Sequence, residues 1–242
     1  MKSVILNTYK QLLASYTDSN NPEWQAVTID NNNPMVEITD LFLGFTSVSD
    51  SNVLAKEADP DLPWSEDHFQ ERINGKPINP GKQYKNWPYY KVLNNDSLFR
   101  PDGKFSHNYM ERYWCKGYKG IRYEYGDLNN VINTLKKNRY TRQAYLAVWH
   151  PEDQLGDGVR VPCTIGYWFK YNDGALDITY HIRSCDAVRH FRNDIYMTYR
   201  LLQHVSESIN VKPGNMKMWI GSFHCFKSDL YNIKKYVWNS DK

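Results

Sequence analysis

Cysteine is scarce in this 242-residue chain, and the four present, Cys115, Cys163, Cys185 and Cys225, have neither C-x-x-C spacing nor the density of a disulfide scaffold. That usage leaves a metal site without support and suits a reducing compartment. Charge of one sign is lacking too. Thirty Lys and Arg stand against 27 Asp and Glu, a formal net charge of +3, and no block of like charges occurs. A polyanion-binding tail is thereby excluded, and nucleic acid is not the leading partner. No stretch approaches the roughly 20 apolar residues of a membrane helix, and the first residues mix polar groups into their apolar positions without a small-residue cleavage site. The expectation is a soluble, cytoplasmic protein with no membrane partner. With 41% hydrophobic and 15% aromatic content, the chain can bury one large core, and residues 1–242 are read as a single domain.

The most informative stretch begins at Pro162-Cys163. An alternating run, Thr164 to Tyr171, meets Asn172-Asp173-Gly174 and then a second alternating run, Ala175 to Ile182. Asp-Gly between such runs predicts a β-hairpin with a type I′-like turn. The second strand ends in Arg183-Ser184-Cys185-Asp186, and Asn193 to Ile209 carries apolar residues at helical spacing.

Pro-Cys, a strand pair, Arg-Ser-Cys-Asp and a phenylalanine loop entering a helix resemble the thymidylate synthase family. The likeness extends from about Gly126 to Leu230 at lower identity. Within the family the loop Phe191-Arg192-Asn193-Asp194 is more similar to phage-type deoxycytidylate hydroxymethylases, because Asp194 stands where thymidylate synthases have asparagine. The resemblance implies an α+β fold with a large mixed sheet flanked by helices, a homodimer, and a one-carbon transfer to a pyrimidine nucleotide, dCMP, from the co-substrate 5,10-methylenetetrahydrofolate.

The remaining segments are read as groups delivered to that stretch. Lys2 to Ser15 forms an amphipathic helix, residues 18–33 a loop with room for one strand, and Met35 to Val48 a long strand. The family has a phosphate-binding loop in this N-terminal region, but no arginine here matches it. Ser65 to Ile73 is a short helix with acidic residues in its first turn. The family's water-ordering glutamate matches Glu71 by position, with Glu66 and Glu57 as alternatives. Residues 103–114 resemble the segment with the active-site tyrosine, which gives Tyr109 that role, although Met110 replaces the usual glycine. Asp127 opens a helix that closes at Lys136 and Lys137, and Ala144 to Trp149 forms a strand. Before that strand, Arg142 matches one of two family arginines that reach the partner subunit's nucleotide; Gln143 replaces the other. Asn215 to Phe226 is the last strand. His224 matches the sugar-binding histidine, with Phe226 in place of a tyrosine.

The chemistry these assignments imply is coherent. A Cys163 thiolate adding to carbon 6 of the pyrimidine makes carbon 5 nucleophilic, and an adjacent Arg183 favours the anion of a thiol that otherwise titrates near about 8.5. Arg183, Ser184 and Arg142 hold phosphate, His224 the sugar, and Asp186 faces the folate; Glu71 and Tyr109 order water and move protons. Asp194 can be argued from base edges alone. Cytosine offers an amino donor and the N3 acceptor, so a carboxyl fits it, accepting from the amine and sharing a proton with N3, whereas uracil suits an asparagine amide. Burial against a base favours the acid form. An N-cap aspartate is the bland alternative for the same residue. Competing readings are a dUMP hydroxymethylase or thymidylate synthase of the same fold, a catalytically silent nucleotide- or RNA-binding relative, and a cysteine hydrolase using Cys163 and His224. The last lacks a strand-to-helix elbow at its nucleophile.

Overall fold

The hairpin anticipated around Asn172-Asp173-Gly174 forms the centre of the architecture. Strand β4 (Thr164–Asn172) turns into β5 (Ala175–Asp186), with Asp173 and Gly174 both at positive φ, 48° and 82°, the type I′ geometry whose twist matches the flanking strands. A computed structural model describes residues 1–17, 25–27, 30–48, 50–92, 103–114, 127–155 and 160–240. Cys115, Gly126 and most of the loop read over residues 18–33 are outside the described residues.

From β5 the chain enters helix α6 (Phe191–Ser208) and returns as β6 (Lys212–Phe226), parallel to β5. A parallel pair requires such a crossover, and α6 supplies it with a buried stripe of Phe191, Ile195, Tyr199, Leu202 and Val205. Strand β2 (Asp30–Phe45) pairs antiparallel with β6, from Met35 opposite Phe226 to Phe45 opposite Met216. The short strands β1 (Gln25–Val27) and β3 (Tyr145–Ala147) close the two edges. The result is a six-stranded mixed sheet in the order β1-β2-β6-β5-β4-β3, antiparallel except between β5 and β6. Strand β3 is shorter than its apolar run because the amides of Val148 and Trp149 both donate to Ile165 O, which ends the ladder.

Helices cover one face. Helix α1 (Lys2–Thr17) buries Ile5, Tyr9 and Leu12 and packs on β2. Helices α2 (Ser51–Ala58) and α3 (Trp64–Arg72) lean on α6, α5 (Leu128–Lys137) contacts β3, and α7 (Leu230–Ser240) contacts α1. A further short helix, α4 (Tyr109–Tyr113), touches α3. On the opposite face Phe42, Trp219 and His181 stand in register across β2, β6 and β5; Phe42 is 73% exposed.

The inward-outward alternation slips at one level of the sheet. In β6 the buried positions run Met216, Met218, Ile220 and then Phe223; in β5 they run Tyr180, Ile182 and then Cys185. Between them, Gly221 leaves room for the Arg183 carbonyl, which a Cβ there would meet at 2.8 Å. Asp40, at φ 51°, occupies the same level of β2. The register is kept through this level, Ile182 opposite Ile220 and Ser184 opposite Ser222, so the strands change face together, and beyond the slip lie Ser184, Asp186, Ser222 and His224.

Candidate active site

Cys163 immediately precedes β4, so its sulfur lies at the end of the sheet where β5 and β6 finish. Arg183 reaches it across the pair: the Arg183 amide donates to Cys163 O (2.9 Å), and one guanidinium nitrogen comes within 4.0 Å of Sγ. The guanidinium is fixed by donating through Nε to Pro162 O (2.9 Å) and through Nη2 to Val161 O (3.2 Å), 5.5 Å from the Trp149 ring. The net effect on the thiol differs from the sequence expectation. Burial pushes Cys163 up; Arg183 counters this, and the Asp194 charge adds to the rise. The expected lowering by Arg183 is present but outweighed, because a half-buried sulfur loses more solvation than one guanidinium at 4.0 Å returns.

Thr164, next in the chain, links two phenols. Its hydroxyl is 3.0 Å from Tyr109 OH and 2.8 Å from Tyr180 OH. Tyr109 opens α4, whose first turn is fastened by Asn108 Oδ1 accepting from the Met110 amide (2.8 Å). Met110 is buried against Gly81 and Glu71, so it fills space where the sequence pattern had a glycine. Tyr109 is thus brought to the Cys163 strand, its phenol raised by burial.

Asp194 lies in the first turn of α6. The N-cap is His190, whose side chain makes no capping bond, so the capping alternative does not describe Asp194. Its Oδ2 is 3.9 Å from Cys185 Sγ. Burial pushes the carboxyl up to about 7, against the Arg72 guanidinium and the Cys185 thiol, which favour the anion; Asp186 adds to the rise. The preceding residue anchors the turn: Asn193 Oδ1 accepts from Ser65 Oγ (2.7 Å) and the Asp61 amide (2.8 Å).

Asp186 accepts from the amides of Val188 and Arg189, each 2.9 Å, closing the turn into α6. His224 pairs with Asp186 in the β5/β6 register, while Ser184 pairs with Ser222, which donates its hydroxyl to Glu37. His224 is 9% exposed with Nδ1 unpartnered among the described residues, and burial lowers its pKa.

Two predicted residues are not brought to this group. Glu71 accepts from the amides of Lys82 and Gln83 and lies 3.5 Å from His68 Nδ1, so its carboxylate braces a loop instead of facing Cys163. Glu66 is engaged by Arg200 and Tyr196, and Glu57 accepts from the Lys2 amide. Arg142 is exposed, and its carbonyl accepts from Trp168 Nε1 (3.2 Å). Trp168 is five residues along β4 from Cys163, about 16 Å at strand rise.

Sequence reasoning missed Arg72, Thr164, Tyr180 and Cys185. Thr164 and Tyr180 were legible only as strand residues, and Arg72 only as the basic end of a short helix. A profile of the thymidylate synthase family matches residues 70–241. A putative thymidylate synthase of Methanococcoides burtonii is 31% identical over 108 residues, 44% of this chain and 49% of that protein. One from Methanosarcina barkeri is 28% identical over 112 residues, 46% and 50% of the two chains. The thymidylate synthase of Malacoplasma penetrans is 24% identical over 169 residues, 65% and 56%. The chain spans about half the length of the curated relatives it matches.

Proposed function

The chain belongs to the thymidylate synthase family, and from that premise we propose that it is a deoxycytidylate 5-hydroxymethyltransferase, converting dCMP, 5,10-methylenetetrahydrofolate and water to 5-hydroxymethyl-dCMP and tetrahydrofolate. The observation that carries the choice of base is Asp194, a carboxyl pushed up to about 7 at the sheltered end of α6. A group poised between acid and anion can accept from the cytosine amine and pass a proton to N3, which draws electrons from the ring and eases attack at carbon 6.

Cys163 is the nucleophile. Its thiol is raised in the unliganded protein, so deprotonation has to be coupled to substrate arrival; Arg183, 4.0 Å away, stabilises the thiolate as it forms. The sulfur adds to carbon 6, and carbon 5 bonds to the one-carbon unit and then loses its proton as the carbon–nitrogen bond to tetrahydrofolate breaks; water adds to the exocyclic methylene so formed, and the thiolate leaves as the ring double bond is restored. Tyr109, with the Thr164 and Tyr180 hydroxyls, offers a relay for the proton on carbon 5. Arg183 and Ser184 hold the phosphate, and His224 the sugar. Glu71 is kept in the proposal only as a residue bracing the loop at Lys82, through which it orders the cleft wall and its water.

The folate supplies a carbon at the oxidation level of formaldehyde. The chain's residues fit its flat ring. Trp87 stacks on His190 at 5.0 Å beside the Asp186 turn, and its buried Nε1 lacks a partner among the described residues, leaving a donor for a heteroaromatic acceptor. Arg142 is proposed to act on the partner subunit's nucleotide in a homodimer, which its distance from its own Cys163 and the exposure of Phe42 support.

A second reading keeps the fold and uses dUMP, as a hydroxymethylase or a thymidylate synthase. It is favoured by the names of the relatives and by the fact that a neutral carboxylic acid also matches the uracil edge. The experiment that separates the two is release of tritium from carbon 5 of labelled dCMP and labelled dUMP. Folate-dependent release from dCMP supports the proposal, and release from dUMP alone overturns it.

A further inference from the structure

Three strands present a polar row at the end of the sheet beyond Gly221. Glu37 on β2 stands opposite His224 on β6, which stands beside Asp186 on β5; one row back, Thr39, Ser222 and Ser184 are in register. Directly opposite residues of an antiparallel pair project from the same face with Cβ atoms about 5 Å apart. The Glu37 carboxylate reaches diagonally, and its Oε2 accepts from the Ser222 hydroxyl. Its other oxygen has no partner among the described residues. Neither has His224 Nδ1, although His224 is only 9% exposed. A ring nitrogen and a carboxylate oxygen left open side by side call for a ligand that satisfies both.

We propose that Glu37 is a substrate-binding residue that accepts a hydrogen bond from the sugar 3′-hydroxyl of the nucleotide and makes binding depend on that hydroxyl. The inference rests on the reading of the chain as a nucleotide-modifying enzyme and adds a contact that reading does not include. The chemistry of the row selects the ligand group. Ser222 gives its one hydroxyl proton to Glu37, so toward a ligand both are acceptors, while His224 Nδ1 can carry a proton and donate. A hydroxyl matches this arrangement, donating to the carboxylate and accepting from the imidazole. A phosphate is acceptor-only and would set its charge against Glu37, and an ammonium has no lone pair for the imidazole proton. Among the described residues no three His, Cys, Asp or Glu side chains are grouped to hold a metal ion.

The placement agrees with the rest of the nucleotide. Ser184, proposed for the phosphate, pairs with Ser222, and His224 is two residues further along β6, so the phosphate and sugar positions are about 7 Å apart at strand rise. That is the scale of the separation between a 5′-phosphate and a 3′-hydroxyl. Phe226, two residues after His224, has no hydroxyl to offer; its ring meets His224 edge-on at 5.5 Å and carries the Arg189 guanidinium at 5.3 Å. An aromatic wall without a polar group leaves the acceptor to come from β2, and Glu37 supplies it.

The test is calorimetric binding of dCMP and of 2′,3′-dideoxycytidine monophosphate to the full chain, with dUMP and its dideoxy form run beside them. In wild type the 3′-hydroxyl should tighten binding about tenfold or more, as expected of a hydrogen bond to a charged group. In Glu37→Ala that advantage should fall to about threefold or less, with the dideoxy nucleotide bound at least as tightly as by wild type, because no carboxylate is then left unpaired. Glu37→Gln keeps an acceptor of the same shape without the charge; its hydroxyl advantage should lie between the two, and it carries the comparison if Glu37→Ala does not fold. A hydroxyl advantage equal in wild type and variant overturns the proposal. So does an equal loss for both nucleotides, which is what a Glu37 that only braces Ser222 or holds a water would give. If the uracil pair alone binds, the cytosine reading falls while the ratio for that pair still decides on Glu37; if no nucleotide binds, both fall.

Discussion

Asp194 carries the strongest residue-level consequence, because its titration links the site to stability. Its carboxyl is raised from 3.8 to about 7 by burial. Between those values the folded protein binds a proton the unfolded chain has released. This contribution is therefore complete below about pH 4 and is lost as pH rises through 7. Asp194→Asn removes the ionisable group at nearly constant shape. The variant should melt higher than wild type at pH 8, with the gain shrinking toward pH 5; an equal difference at both values in thermal melts contradicts the assignment. Cys163→Ser should keep nucleotide binding and lose turnover by several orders of magnitude, which calorimetry beside an activity assay can read. Cys163, Arg183 and Asp194 were legible because they fall within one continuous motif. Arg72 was not, since on a nine-residue helix nothing in the pattern tells an inward arginine from a solvated one. The same ambiguity left Glu71, Glu66 and Glu57 as alternatives for the water-ordering glutamate. Phe69 and Arg72 lie on the buried face, while the Glu71 carboxylate accepts from the loop amides of Lys82 and Gln83.

At the level of elements, the close approach of β6 to the Arg183 carbonyl depends on a missing side chain. Gly221→Ala would put a Cβ 2.8 Å from the Arg183 carbonyl, too close without a shift of one strand against the other. Overpacking of this kind costs on the order of 1–3 kcal/mol, and here the displaced residue is the thiolate's partner. Chemical denaturation should register that loss, and kcat/KM should fall by more than stability alone explains. Full activity in Gly221→Ala would mean the close approach at Gly221 does not position Arg183. The long strands and α6 were legible from periodicity, and the hairpin from Asp173-Gly174. Helices α2, α4 and α7 were not. Helix α2 is eight residues set by the Asp50 cap, which accepts from Asn52 and Val53; α4 has five residues; and the aromatic residues of α7 blur its stripe. A change of face within a strand leaves almost no trace in composition, and Gly221 within β6 was the available hint of a close backbone approach.

At the scale of the molecule, one sheet face has no helix packed on it among the described residues, and Phe42 at 73% exposure stands on it in register with Trp219. An apolar row of this kind fits an interaction surface, and the proposed role of Arg142 requires a second subunit. Phe42→Arg should convert a dimer to a monomer in sedimentation and lower activity with it; an unchanged dimer would locate the interface elsewhere. Mixing Arg142→Ala with Cys163→Ser subunits should restore activity, because one site of each mixed dimer then holds both residues. The central claim is that a folate-derived carbon ends as an alcohol on cytosine. The most direct measurement offers dCMP and dUMP together with 5,10-methylenetetrahydrofolate and identifies the products by mass spectrometry while absorbance reports dihydrofolate. The account predicts a dCMP product heavier by one CH2O, tetrahydrofolate, and no rise from dihydrofolate. A 5-methylated product accumulating in step with dihydrofolate would contradict it.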